Sequence, residues 1–235
     1  MNMLLLTATL SDNTYKVSGR QLEHLLDVHK AKIGDSLKVG HVNGLMGTGS
    51  IVQLDNEQAI LTLDLSLDPP PPLPLTLLLA LPRPKMLRRT LQTIAAMGVK
   101  NLYLINSSRV EKSFWQSPFL SPNAIEEQLI LGLEQARDTV LPTVHLRKLF
   151  KPFVEDELRD LINGTTPLVA HPNTEESCPV NTPQKVTLAI GPEGGFIPYE
   201  IDKLVDIGFK AVHLGPRILR VENAVPSIIS RLFPG

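Results

Sequence analysis

The stretch VTLAIGPEGGFIPYE, residues 186–200, decides how this chain is read. Val186 to Ile190 is an apolar, β-branched run, the pattern of a buried strand. It stops at Gly191-Pro192-Glu193-Gly194-Gly195. Pro198-Tyr199-Glu200 then puts a proline and an acid where the first turn of a helix favours them. Open parallel sheets bind their ligands where a buried strand ends in such a loop before a helix. Gly194 and Gly195 can take positive φ and let something approach the bare backbone. Taken alone, a plain glycine turn explains the loop equally well.

The layout recurs nearby. Residues 210–214, KAVHL, read as a second strand, stopped by Gly215-Pro216 and followed by a loop carrying Arg217, Arg220 and Glu222. A third strand, 167–170, ends in His171-Pro172-Asn173. Three strand ends of similar chemistry imply one shared crevice. Other glycine-loop chemistries fail on spacing: neither GxxxxGK with serine or threonine nor an early GxGxxG occurs.

Working outward, consecutive prolines in Asp68-Pro69-Pro70-Pro71-Pro72-Leu73-Pro74 favour a stiff spacer and mark a boundary, with 69–74 as linker. Before it, strand-like pieces at 14–17, 36–42, 48–54 and 58–65, turns at Gly34, Gly40, Gly44, Gly47 and Gly49, and a helix near 18–30 suggest a small β-barrel over 1–68. After it, strands are expected at 75–81, 99–105, 143–147, 167–170, 186–190 and 210–214. Helices are expected at 85–97, 123–137, 153–163, 198–207 and 222–232. This alternation over 75–235 means an α/β domain with a parallel sheet flanked by helices. Residues 171–185 read as an exposed loop.

GPEGG with an acid at Glu200, LGPRILRVE at 214–222 and AHP at 170–172 resemble the RsmE-type methyltransferases of the SPOUT (trefoil-knot) superfamily. The likeness spans the chain and is strongest from about residue 165. It implies methylation of N3 of a uridine in small-subunit (16S) ribosomal RNA by S-adenosylmethionine. It also implies a PUA/OB-like barrel, a knot threaded near 190–220, and a homodimer with its site at the two-fold interface. The cofactor would be held by Ala170, His171 and Pro172, by Ile190, Gly191, Pro192, Glu193, Gly194 and Gly195, and by Leu214, Gly215, Ile218, Leu219 and Val221. Glu193 would organise its loop. Arg220 is the candidate to stabilise negative charge on the uracil oxygens, and Glu222 to accept the N3 proton or orient that arginine. A structural ion pair at the helix start is the alternative for both.

The chain of 235 residues is 43% hydrophobic and 20% charged, the balance of an ordinary globular protein. Its single cysteine, Cys178, excludes internal disulfides and cysteine-cluster zinc sites. No metal is expected. MNMLLLTATL lacks the basic start of a secretory signal, and the apolar run from Leu73 to Leu81 is too short for a bilayer, so a cytoplasmic, membrane-free protein is expected.

RNA binding gets no help from a net charge of −1. Residues 1–68 set Lys16, Arg20, Lys30, Lys32 and Lys38 against Asp12, Glu23, Asp27, Asp35, Asp55, Glu57, Asp64 and Asp68. Contacts must come from local patches, the densest holding Arg83, Lys85, Arg88 and Arg89. Arg20, Lys30 and Arg137 complete the expected set. Departures fall on this RNA-facing half: Thr93 and Ala96 stand where the family shows lysine and glutamate, and Asp138 where it shows a base. Val221 and Asn223 replace threonines beside the glutamate. Two rivals therefore stay open: a methyltransferase acting on another RNA, such as transfer RNA, and a non-catalytic RNA- or ribosome-binding paralogue.

Overall fold

The computed structural model describes residues 2–7 and 13–234. Asp12 and residues 8–10 of the opening stretch lie outside them. The chain forms two compact units, Met1–Pro71 with Ile130–Leu141, and Pro72–Leu129 with Pro142–Gly235.

The first unit is built on a five-stranded sheet of β1 (Leu4–Leu6), β2 (Thr14–Val17), β3 (Ser36–His41), β4 (Met46–Leu54) and β5 (Ala59–Leu67), in the order β1-β3-β4-β5-β2. The β1–β3 pair is parallel and the rest are antiparallel. Alternate residues of β4 and β5 point inward, so Ile51, Ala59, Leu61 and Leu63 meet Leu4, Leu6, Val17 and Val39. Leu22 and Leu25 of α1 (Gly19–Asp27) join the same core. Gly40, Gly47 and Gly49, expected in turns, lie instead within β3 and β4. The strands approach too closely there for a side chain: a Cβ on Gly47 would run into the Asp64 carbonyl.

Glu134, Asp138 and Thr139 belong to this unit although the sequence reading assigned them to the second domain. Glu134 is 1% exposed and accepts from Arg20 Nη2 at 2.9 Å and Gln21 Nε2 at 3.0 Å. Asp138 is also buried and accepts the Val140 N–H at 2.9 Å, so the acid at this family departure is a turn-forming residue.

The second unit holds an all-parallel sheet of six strands. They are β6 (Leu75–Ala80), β7 (Asn101–Ile105), β8 (Thr143–Arg147), β9 (Thr166–Ala170), β10 (Val186–Ile190) and β11 (Lys210–Val212), in the order β11-β9-β10-β6-β7-β8. Its inner strands are apolar on both faces, as a sheet covered by helices requires: Leu77, Leu78, Leu79, Leu188 and Ala189 are fully buried. The helices are α2 (Pro84–Ala96), α3 (Pro122–Ala136), α4 (Phe150–Pro152), α5 (Leu158–Leu161), α6 (Pro198–Asp206) and α7 (Val221–Leu232). Ile130 onward of α3 falls in the first unit.

Two expectations need correction. The helix read at 153–163 is interrupted: Phe153–Glu157 form a π-helical turn between α4 and α5. That turn buries Phe153 and Val154 side by side and leaves Glu157 paired with Arg147 Nη2 at 2.6 Å. The stretch 171–185 is not simply an exposed loop. Cys178 is 1% exposed, Ser177 bridges His213, and the N–H groups of Cys178, Asn181 and Thr182 donate to His213, Arg231 and Leu232.

Chain order changes direction beside β6, whose neighbours are β10 on one side and β7 on the other. Ligands in open α/β sheets bind outside the carboxyl ends of strands at such a switch point.

Candidate active site

The carboxyl ends of β9, β10 and β11 converge on one cavity of about 670 Å³. From β9 come Ala170, His171 and Pro172; from β10, Ile190 and the whole of Gly191 to Gly195; from beyond β11, Leu214, Gly215, Ile218 and Leu219, with Val221 at the start of α7. Every residue expected to hold the cofactor therefore lines the same hollow.

Local chemistry explains each wall. Gly195 has φ +72°, the left-handed conformation that a glycine tolerates, and its N–H closes a turn onto the Pro192 carbonyl at 2.8 Å. Gly194 does not use that conformation. It is glycine for space: a Cβ there would sit 2.9 Å from Cδ of Arg109. Pro198 opens α6, and the buried Glu200 carboxylate reaches back to the Ile197 N–H at 3.0 Å. This is half of a capping box, because Ile197 has no side-chain acceptor to return the bond. The other Glu200 oxygen accepts the Ser108 N–H at 2.6 Å, tying the loop after β7 to the glycine loop.

The strand expected over 210–214 ends at Val212. His213 leaves the ladder and its Nδ1 accepts the Gly215 N–H at 2.8 Å, which places the ring proton on Nε2. From Pro216 to Arg220 the chain is exposed, with Ile218 at 81% and Leu219 at 39%.

The two expected catalytic side chains are placed differently. Arg220 is the N-cap of α7 and Glu222 lies in its first turn, to either side of Val221. Val221 lines the hollow; Arg220 and Glu222 do not. No ion pair joins them among the described residues, so the structural alternative is not realised here. The carboxylate of Glu222 sits where the helix dipole favours an anion.

Among the expected RNA contacts, Arg83, Lys85, Arg88 and Arg89 are all exposed at the start of α2. Arg83 Nε stands 3.8 Å from Glu193 of the glycine loop, and Arg88 lies over the Phe119 ring at 5.2 Å. In the other unit Lys30 and Arg137 are exposed with φ +49° and +58°, each just past a helix. Arg20 is committed to Glu134.

The sequence reading missed Arg109, Cys178, Asp202 and His213 as cavity residues. Cys178 carries a thiol raised above its ordinary range by burial, with Arg231 pulling the other way. The pairing of β11 with β9, and of 176–178 with His213, brings Cys178 and His213 to the cavity, while Arg109 reaches it from the turn after β7 and Asp202 from α6. Among the described residues no cluster of histidine, cysteine and acids could hold a metal, and no helix is long and apolar enough to cross a membrane.

A family model described as an RNA methyltransferase domain matches residues 69–233. The chain belongs to that family. Its RNA methyltransferase domain thus takes in the whole sheet and the cavity. The chain is 27% identical over 206 residues, 86% of its length and 77% of the relative's, to the ribosomal RNA small subunit methyltransferase E of Treponema pallidum. It is 23% identical over 228 residues, 95% of its length and 94% of the relative's, to ribosomal RNA small subunit methyltransferase E 1 of Borreliella burgdorferi. In fold it is similar to the ribosomal RNA small subunit methyltransferase E of Neisseria gonorrhoeae, solved with S-adenosyl methionine, at a TM-score of 0.76 and 21% identity, covering 98% of this chain and 95% of that one. The resemblance read from GPEGG, LGPRILRVE and AHP is borne out at this level.

Proposed function

We propose that the protein transfers a methyl group from S-adenosylmethionine to N3 of a uridine in small-subunit ribosomal RNA. One observation carries the reading: the three motif loops, far apart in sequence, form one cavity at the carboxyl ends of parallel strands in an RNA methyltransferase domain. The names of the relatives from Treponema and Borreliella support the ribosomal substrate.

The walls suit that cofactor. Ile190, Val212, Leu219 and Ile228 offer apolar surface for an adenine. Glu193 and Asp202 bring carboxylates to the hollow, which suit a cationic sulfur, while Arg109 and Arg217 give the same lining positive charge. When bound, S-adenosylmethionine supplies an electrophilic methyl on a positively charged sulfur. The chain holds the two substrates in line, a gain on the order of 7–11 kcal/mol in well-oriented systems. Glu222 takes the N3 proton and Arg220 faces the charge that grows on the uracil oxygens. Because neither lines the cavity, both act from its rim at the start of α7.

The same reading makes the first unit a PUA/OB-like RNA-binding barrel, threads the chain near 190–220 as a knot, and pairs two copies in the cytoplasm. The exposed Ile218 and Leu219 are surface that a second copy would cover. The deciding experiment supplies labelled S-adenosylmethionine and small ribosomal subunits, then identifies the methylated nucleoside by mass spectrometry. 3-Methyluridine in 16S RNA is expected. Label in transfer RNA alone, or no cofactor binding by calorimetry, would overturn the assignment.

A further inference from the structure

Arg109 and Arg217 both line the cavity, and of the two it is Arg109 whose guanidinium is held in place by a hydrogen bond. It belongs to the turn after β7 and lines the cavity from the side opposite the β9 and β11 loops in sheet order. Its neighbour Ser108 is fixed by the buried Glu200, so the backbone of Arg109 is pinned beside the glycine loop. Its Nη1 donates to the Gly194 carbonyl. The bare Cα of Gly194 makes room for the arginine stem, since a Cβ there would press on Cδ. Yet the side chain is exposed and, among the described residues, no carboxylate pairs with it. Arg83 and Arg88 spend themselves in part on Glu193 and Phe119.

A guanidinium has a planar fork of five donors, matched to two-oxygen anions. Arg109 uses one donor to fix its orientation and leaves the others free at the cavity. We propose that Arg109 binds a phosphodiester of the RNA strand whose base enters the cleft, with the Gly194 carbonyl holding the fork ready. This rests on the RNA-methyltransferase reading and adds a phosphate subsite to it. Glycine at 194 then serves the RNA side of the site as well as the cofactor side.

The test uses the full chain and a fluorescein-labelled single-stranded uridine-containing RNA of about 20 nucleotides, longer than the span of a typical single-strand site. Anisotropy gives affinity between about 50 and 200 mM salt for the unmodified protein, Arg109→Ala and Arg109→Lys. Arg109→Ala should weaken binding and make the plot of log affinity against log salt shallower by about 0.7, the loss of one single-strand phosphate contact. Arg109→Lys should restore that slope, because charge is kept, while recovering affinity only in part, because the fork is lost. Calorimetry should find S-adenosylmethionine affinity in both variants within about threefold of the parent, less than 1 kcal/mol. An unchanged salt slope in Arg109→Ala overturns the proposal, as does a loss of cofactor affinity equal to the loss for RNA. Failure of the unmodified protein to bind S-adenosylmethionine would remove the functional reading instead, and the salt slopes would still decide Arg109.

Discussion

Glu200 accepts the backbone N–H of Ser108 at 2.6 Å across 92 positions of sequence, and with its second oxygen the N–H of Ile197 at 3.0 Å. One buried carboxylate thereby joins the loop after β7 to the entry of α6, and the glycine loop is held between them.

Replacing it with alanine leaves both donors without their acceptor. Glu200→Ala should cost about 2 kcal/mol in urea unfolding, and Glu200→Gln, which keeps one acceptor oxygen, about half of that. S-adenosylmethionine affinity should fall in the same order. Wild-type stability in the alanine variant would show that the loops are positioned by other contacts.

How far such relationships are legible depends on their range. Runs such as LTLLLA in β6 and VTLAI in β10 announce buried strands by composition, and Pro198 announces α6. The three motif loops were readable because each follows a recognisable strand. β1 was missed: Leu4–Leu6 has no period of its own and becomes a strand by pairing parallel to β3. The π turn at Phe153–Glu157 was invisible for a similar reason, since helical periodicity does not report an extra residue in one turn. Arg109 in SSRVEK carries no local signal at all. Its meaning comes from the place of β7, one strand away from β10 across β6.

Arg20 was expected to touch RNA, and its place beside Glu134 predicts something else. The Glu134 side chain is 2% exposed and that of Arg20 47%, so the acid needs the base more than the reverse. Arg20→Ala should destabilise the protein by about 1–3 kcal/mol, the range for a buried charged group losing one partner, with Gln21 still in place. RNA affinity measured below the unfolding transition should change less than for Arg83→Ala. The reverse ranking would restore Arg20 to the RNA contacts.

Cys178 lines the cavity yet is 1% exposed, and burial raises its thiol, so little reactive thiolate is available. Labelling by a thiol reagent near pH 8 should run on the order of a hundredfold slower than for a free thiol, and should accelerate with urea in step with unfolding. Rapid stoichiometric labelling of the folded protein would mean that the 176–178 bridge to His213 opens readily.

His145 gives the chain an acid-sensitive element. Its ring stacks on Tyr103 with centroids 4.4 Å apart, and Tyr103 in turn stacks on Phe153 at 5.6 Å. Arg147 lies over both aromatic rings and is held there by Glu157. Burial first, and the Arg147 charge second, lower the His145 pKa below its ordinary 6.5, with Glu157 opposing them. A histidine lowered in the folded state takes up its proton more readily when unfolded. Its contribution is therefore intact above pH 6.5 and is lost as pH falls toward the folded value. His145→Phe keeps an aromatic ring in the stack but removes the titration. The stability of the parent relative to this variant, from urea unfolding at about pH 7.5 and about pH 5, should fall on acidification. His24, also lowered by burial, is common to both proteins and cancels in the difference. A difference that stays constant between the two pH values would show that His145 titrates alike in both states, and that the stack imposes no cost on its charge.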